Sequence, residues 1–173
     1  MYTIDKLDEV VELKDVPQSD VGAPLPLVIA NDYCLQLAYL VSERSSAWTG
    51  TSVTIADPTS EGELVAILKF NNPFVHMFGM PNDEAFSGHP LSSRGLSSYA
   101  AFEIRNSSWI RQLERMNSVH PRHVPSRFLS NKHFVFAFHD STFECVAASF
   151  AVEQLRGSLR SAAQQMLQTL KGL

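Results

Sequence analysis

The segment HFVFAFHDSTFECVA, residues 133–147, restricts the fold more than any other part of the chain. Phe134, Phe136 and Phe138 occupy every second position, with His133, Val135, Ala137 and His139 between them. A period of two marks a strand, because successive side chains point to opposite faces. Asp140-Ser141 supplies a turn and residues 142–152 return, which predicts a β-hairpin. A loop of two or four residues keeps the phenylalanines on the face of Phe143, Cys145 and Ala147, and with two, Phe138 faces Phe143, Phe136 faces Cys145 and Phe134 faces Ala147. That register makes one continuous apolar face. An odd loop would set Glu144 beside a phenylalanine, so the pattern dictates parity.

Further strand signals surround this hairpin. Tyr33, Leu35, Leu37, Tyr39 and Val41 alternate with smaller or polar residues, which predicts a half-buried strand. Val53 and Ile55 alternate with Thr54 and Ala56, and the turn residues 57–62 lead into an apolar run over 64–70. These two runs read as a second hairpin with a central strand. Asn71-Asn72-Pro73 breaks the pattern before residues 74–80 resume it, since proline cannot donate to a ladder. Residues 99–104 suit one more strand. A helix over 108–119, capped by Ser107 or Ser108, carries Trp109, Ile110, Leu113 and Met116 on one stripe. Leu159, Ala162, Ala163, Met166, Leu167 and Leu170 predict a stronger helix over 158–171, with Ser158 as its cap. The expected class is therefore α+β: a mainly antiparallel, curved sheet of about five to seven strands with both helices packed on it. Phe134, Phe136, Phe138, Phe143 and Leu167 are expected in the core.

A chain of 173 residues suits one domain over 1–173, with residues 1–26 as a peripheral segment ending in a Pro-rich loop. No apolar stretch is long enough for a membrane span, and no signal-peptide pattern opens the chain, so we expect a cytoplasmic protein without membrane partners. Cys34 and Cys145 lie in strand-like runs and are expected as free thiols. The net charge of −4 conceals a split: residues 1–90 carry 13 acidic against 4 basic side chains, and residues 91–173 carry 5 against 10. Attraction between the halves explains this more simply than a charged ligand does. No nucleic-acid motif accompanies the arginines, and nucleic acid is not expected as a partner. A homo-oligomer is left open.

The nucleotide-binding, zincin and α/β-hydrolase signatures GxGxxG, GxxxxGK[ST], HExxH and GxSxG do not occur, so no organic cofactor or resident metal is expected. All six histidines lie between His76 and His139. The hairpin register places His133, His139 and Glu144 on one face, with His139 and Glu144 as diagonal neighbours. A carboxylate beside an imidazole fixes its tautomer and strengthens it as a base, which makes His139 and Glu144 the candidate catalytic pair. The irregular stretch 81–98 supplies Asn82, Asp83, Glu84, His89 and Arg94, which together with His133 are the candidate ligand-binding residues. Arg94 is the expected anion contact. The leading expectation is thus a protein that binds a small anionic or polar molecule, or a cofactor-independent isomerase, cyclase or hydratase. One alternative is an interaction module docking a partner through the acidic N-terminal segment or the arginine-bearing helix. Another is a metal-dependent hydrolase in which His89, His120 and His123 converge.

Overall fold

The computed structural model describes residues 2–43 and 56–170. In chain order the elements are β1 (Glu9–Glu12), β2 (Leu27–Ala30), β3 (Leu35–Leu40), β4 (Glu63–Asn71), β5 (Val75–Gly79), β6 (Ala101–Arg105), α1 (Ser108–Asn117), α2 (Ser126–Leu129), β7 (Lys132–Ala137), β8 (Thr142–Ala147), β9 (Ser149–Gly157) and α3 (Leu159–Leu170). All pairings are antiparallel, and the α+β class is as expected. The strands divide between two sheets, however, in the orders β1-β6-β7-β8-β5 and β2-β3-β4-β9. Of the expected strand over 53–56, residues 53–55 lie outside the described residues, and Ala56 is not in a strand.

The alternation of the phenylalanines explains the second sheet. Phe134, Phe136, Phe138, Phe143 and Cys145 project from one face of the first sheet onto Leu35, Leu37, Tyr39, Leu68 and Phe70 of the second. Stacking two apolar faces removes both from water, the solution that sandwiches share. The outer face of the first sheet is covered by Trp109 and Ile110 of α1 and by Phe86, Leu91 and Leu96 of the 81–98 stretch. Leu159, Ala162 and Met166 of α3 cover the outer face of the second. Because both faces of the second sheet are covered, β3 is buried at all six positions rather than half-buried. Gln36, turned toward α3, donates through Nε2 to the Met166 carbonyl at 3.1 Å.

Two short breaks transfer the chain between sheets. Asn71-Asn72-Pro73 ends β4 and starts β5 on the opposite layer, with Asn72 at a φ of 48°. Ala148 alone separates β8 from β9. Caps form where the sequence predicts them: Ser107 Oγ accepts the Ile110 N–H at 3.3 Å, and Ser158 Oγ accepts that of Ser161 at 3.2 Å. One expected core position fails, and one residue of the expected α1 stripe lies outside the buried face. Leu167 is 47% exposed, because α3 buries only the narrow stripe through Leu159, Ala162 and Met166. Met116 is 73% exposed near the end of α1.

The hairpin keeps its parity but not its register. Phe136 faces Phe143 and Phe134 faces Cys145, a shift of one residue pair from the expected alignment. Residues 138–141 form the turn, with the Phe138 N–H bonded to the Ser141 carbonyl at 2.9 Å. Phe136→Ala is expected to cost about 3–5 kcal/mol by chemical denaturation, whereas Leu167→Ala should cost less than about 1 kcal/mol.

Candidate functional site

The register shift decides which polar groups meet. Glu144 lies opposite Val135, so its diagonal neighbours on β7 are His133 and Ala137. His139 stands one pair further along and cannot reach it; the expected His139–Glu144 pair does not form. The structure instead builds two separate polar clusters from the predicted residues.

The first surrounds the Glu144 carboxylate on the outer face of the first sheet. His133 Nε2 lies 2.9 Å from Oε2, His89 Nε2 lies 3.1 Å from Oε1, and the Tyr2 hydroxyl donates to Oε2 at 2.7 Å. Glu144, His89, His133 and Tyr2 are all buried, with His133 fully so. Their other bonds set the tautomers. His89 Nδ1 accepts the Leu91 N–H at 3.1 Å, so the proton of a neutral ring is on Nε2 and is donated to Glu144. His133 Nδ1 lies 2.9 Å from Ser107 Oγ, and Trp109 stacks on Tyr2 while presenting its edge to His133. Burial opposes ionisation of Glu144, but the hydrogen bonds and positive potential from His133 and His89 outweigh it. The carboxyl is held down at about 2. Burial, reinforced by the Glu144 charge, pushes the Tyr2 phenol far above its ordinary value.

The second cluster is open to solvent. His139 Nδ1 lies 3.0 Å from Asp83 Oδ2 and 2.9 Å from the Tyr99 hydroxyl, which also hydrogen-bonds Asp83. The Asp83 N–H donates to the His139 carbonyl at 2.9 Å, which locks the loop to the end of β7. Tyr99 reaches the pair from a left-handed backbone position, φ 60°. The His139 side chain is 40% exposed, and its Nε2 lies 3.9 Å from Asp140 Oδ1. The bond from Tyr99, then that from His139, holds the Asp83 carboxyl below its usual range, while Asp83 raises the Tyr99 phenol to about 12. Beside Tyr99 a cleft of about 210 Å³ opens between the sheets, lined among others by Lys14, Gln18, Tyr39 and Phe138.

The remaining candidates play local parts. Asn82 caps the Ala85 N–H at 3.1 Å and Glu84 is exposed. Arg94 donates to the Asp8 carbonyl at 2.9 Å, tying the loop to the N-terminal segment rather than meeting an anion. His89, His120 and His123 do not converge: His123 pairs with Glu114 at 2.7 Å, and His120 accepts the Arg122 N–H. Among the described residues no group of three or more His, Cys, Asp or Glu side chains is arranged to hold a metal ion. Arg111 pairs with Asp5 at 2.6 Å, so charges of the two halves do meet within the fold. Sequence reasoning missed Tyr2, Tyr99 and the second role of Ser107. Only Ser107 carried a signal, as a helix cap. The chain matches no family model, no curated protein and no solved structure.

The Glu144 cluster makes a pH prediction. Its carboxyl is depressed, so the stability it contributes is present above the ordinary carboxylate value near 4.3 and is lost as pH falls from there towards about 2. The shift corresponds to about 3 kcal/mol. Urea denaturation at stepped pH should show this loss in the wild type and a flatter profile in Glu144→Gln, which starts from lower stability at neutral pH.

Proposed function

We propose that this protein acts on a small polar or anionic molecule by general acid–base chemistry, with His139 as the base. The observation that carries this reading is the His139–Asp83–Tyr99 cluster. Asp83 and Tyr99 engage Nδ1, which leaves Nε2, on a side chain 40% exposed, as the proton acceptor. Asp83 fixes the tautomer and balances the imidazolium formed when a proton is taken. Tyr99, hydrogen-bonded to both partners, orients them and forms a wall of the adjoining cleft, which Lys14 and Glu12 line with one charge of each sign. The reaction class is proton transfer, as in isomerisation, cyclisation or hydration, and the reading needs no organic cofactor.

Arg111 of α1 binds Asp5 of the N-terminal segment, so part of each surface that an interaction module would offer is engaged within the fold. Among the described residues no helix is long and apolar enough to cross a membrane. Cys34 and Cys145 are free thiols, which fits the cytoplasmic location this reading assumes.

Two measurements test the reading. Ultraviolet titration should find one tyrosine ionising near pH 12 in the wild type and moving towards 10 in Asp83→Asn, since Asp83 is the main cause of the elevation. Solvent-deuterium incorporation into a panel of small keto acids should be detectable by proton NMR. It should fall about 100-fold or more in His139→Gln and Asp83→Asn with little change in melting temperature. Wild type that neither binds nor exchanges any member of the panel removes the catalytic reading.

A further inference from the structure

We propose that Ser107, His133 and Glu144 form a second reactive centre, in which Ser107 is an acyl-accepting nucleophile for small anionic esters. Three observations converge on it. The first is the relay itself: Ser107 Oγ lies 2.9 Å from His133 Nδ1, and His133 Nε2 lies 2.9 Å from Glu144 Oε2. A nucleophile, a base and a carboxylate that orients the base are the parts of a serine acyl-transfer centre, recognised by geometry and not by order in the chain. The hydrogen-bond directions also agree. An ionised Glu144 requires the His133 proton on Nε2, which leaves Nδ1 bare to accept from the Ser107 hydroxyl. Ser107 Oγ meanwhile accepts the Ile110 N–H, so its own proton is the one available to His133.

The second observation is the backbone that carries the serine. Only Asn106 and Ser107 join the end of β6 at Arg105 to the start of α1 at Ser108, and Asn106 takes a φ of 51°. A strand that reverses sharply into a helix places the side chain at the bend on the rim of the sheet. The positive end of the ten-residue helix α1 also favours negative charge developing beside Ser107. The third observation is access. Ser107, 3% exposed, is among the residues that line a cleft of about 510 Å³. Ile104, Ile110 and Leu129 supply its apolar walls, and Arg105 and Lys132 its cationic rim. Lys132 is paired with Glu103 at 3.2 Å, whereas Arg105 has no ion-pair partner among the described residues. A short acyl chain bearing a carboxylate fits this lining: hydrocarbon on the walls, anion at Arg105.

In the chemical step Ser107 Oγ bonds to the ester carbonyl carbon while its proton passes to His133 Nδ1. The bond to the alcohol breaks and the departing oxygen takes that proton. Water then gives a proton to His133 and its oxygen to the acyl carbon. The Oγ–acyl bond breaks, and the proton returns to Oγ. The carboxylic acid and the alcohol leave, and nothing is oxidised or reduced. This centre is separate from His139, which lies six residues along the chain from His133, beyond the end of β7.

The test uses the full chain. Folded wild type is incubated with a fluorophosphonate, and the adduct is located by intact mass and peptide mapping, with urea-unfolded protein as control. One adduct on Ser107, absent after unfolding, is the expected result, together with hydrolysis of the mono-p-nitrophenyl ester of succinic acid faster than p-nitrophenyl acetate. His133→Gln should slow labelling about 100-fold or more. Ser107→Asn, which keeps a helix-capping acceptor, should abolish it. No adduct on folded wild type, an adduct elsewhere, or labelling of Ser107 that survives unfolding overturns the proposal, and none of these outcomes depends on a variant that folds.

Discussion

Glu144 is a carboxylate taken out of water, and much of the architecture of the first sheet is arranged around keeping it ionised there. A buried charge is tolerated only when it is paired and its lone pairs are filled. Four distant parts of the chain meet that requirement: Tyr2 from the N-terminal segment, His89 from the 81–98 stretch, His133 from β7, and Ser107 at the start of α1 behind His133. Tyr2 and His89 sit on segments that lie across the sheet, and Ser107 opens the helix that covers it. Removing the carboxylate therefore unfastens the N-terminal segment, the loop and the helix together. Removing one donor leaves the charge short of a partner.

The same cluster accounts for the register of the β7–β8 hairpin. Parity was already determined, since any even shift keeps Phe134, Phe136, Phe143 and Cys145 on the inner face. Between the registers that parity permits, the alternation of the strands is silent. The observed alignment places Glu144 diagonal to His133, where a buried acceptor finds a donor, and leaves His139 beyond the strand to meet Asp83 and Tyr99. A slip of one pair would bury Glu144 against different neighbours, so polar satisfaction selects among hydrophobically equivalent pairings.

The 81–98 stretch links the two polar centres. Its start, Asp83, holds the exposed His139; its middle, His89, plugs the buried Glu144; its end, through Arg94, grips the Asp8 carbonyl. Phe86, Leu91 and Leu96 anchor it to the sheet, so it behaves as a fixed cover with short 3₁₀ turns at Phe86–Gly88 and Ser92–Arg94. Its composition alone suggests one ligand-binding loop. Its polar residues serve two sites on different sides of the same cover.

By itself the sequence determined the strand alternation, the antiparallel α+β class, the capped starts of α1 and α3, and the phenylalanines of the core. These follow from local periodicity, turn chemistry and the solvation of one face, which neighbouring residues specify. It also indicated that histidines and acids of residues 82–144 would matter. Only the tertiary structure decided that the strands divide into two stacked sheets, that α1 and α3 cover opposite outer faces, and which carboxylate each histidine meets. Those outcomes depend on pairing between residues up to 142 positions apart, as Tyr2 and Glu144 show. Such partners are chosen by burial and hydrogen-bond satisfaction across the whole fold, for which no local pattern in the chain carries a signal.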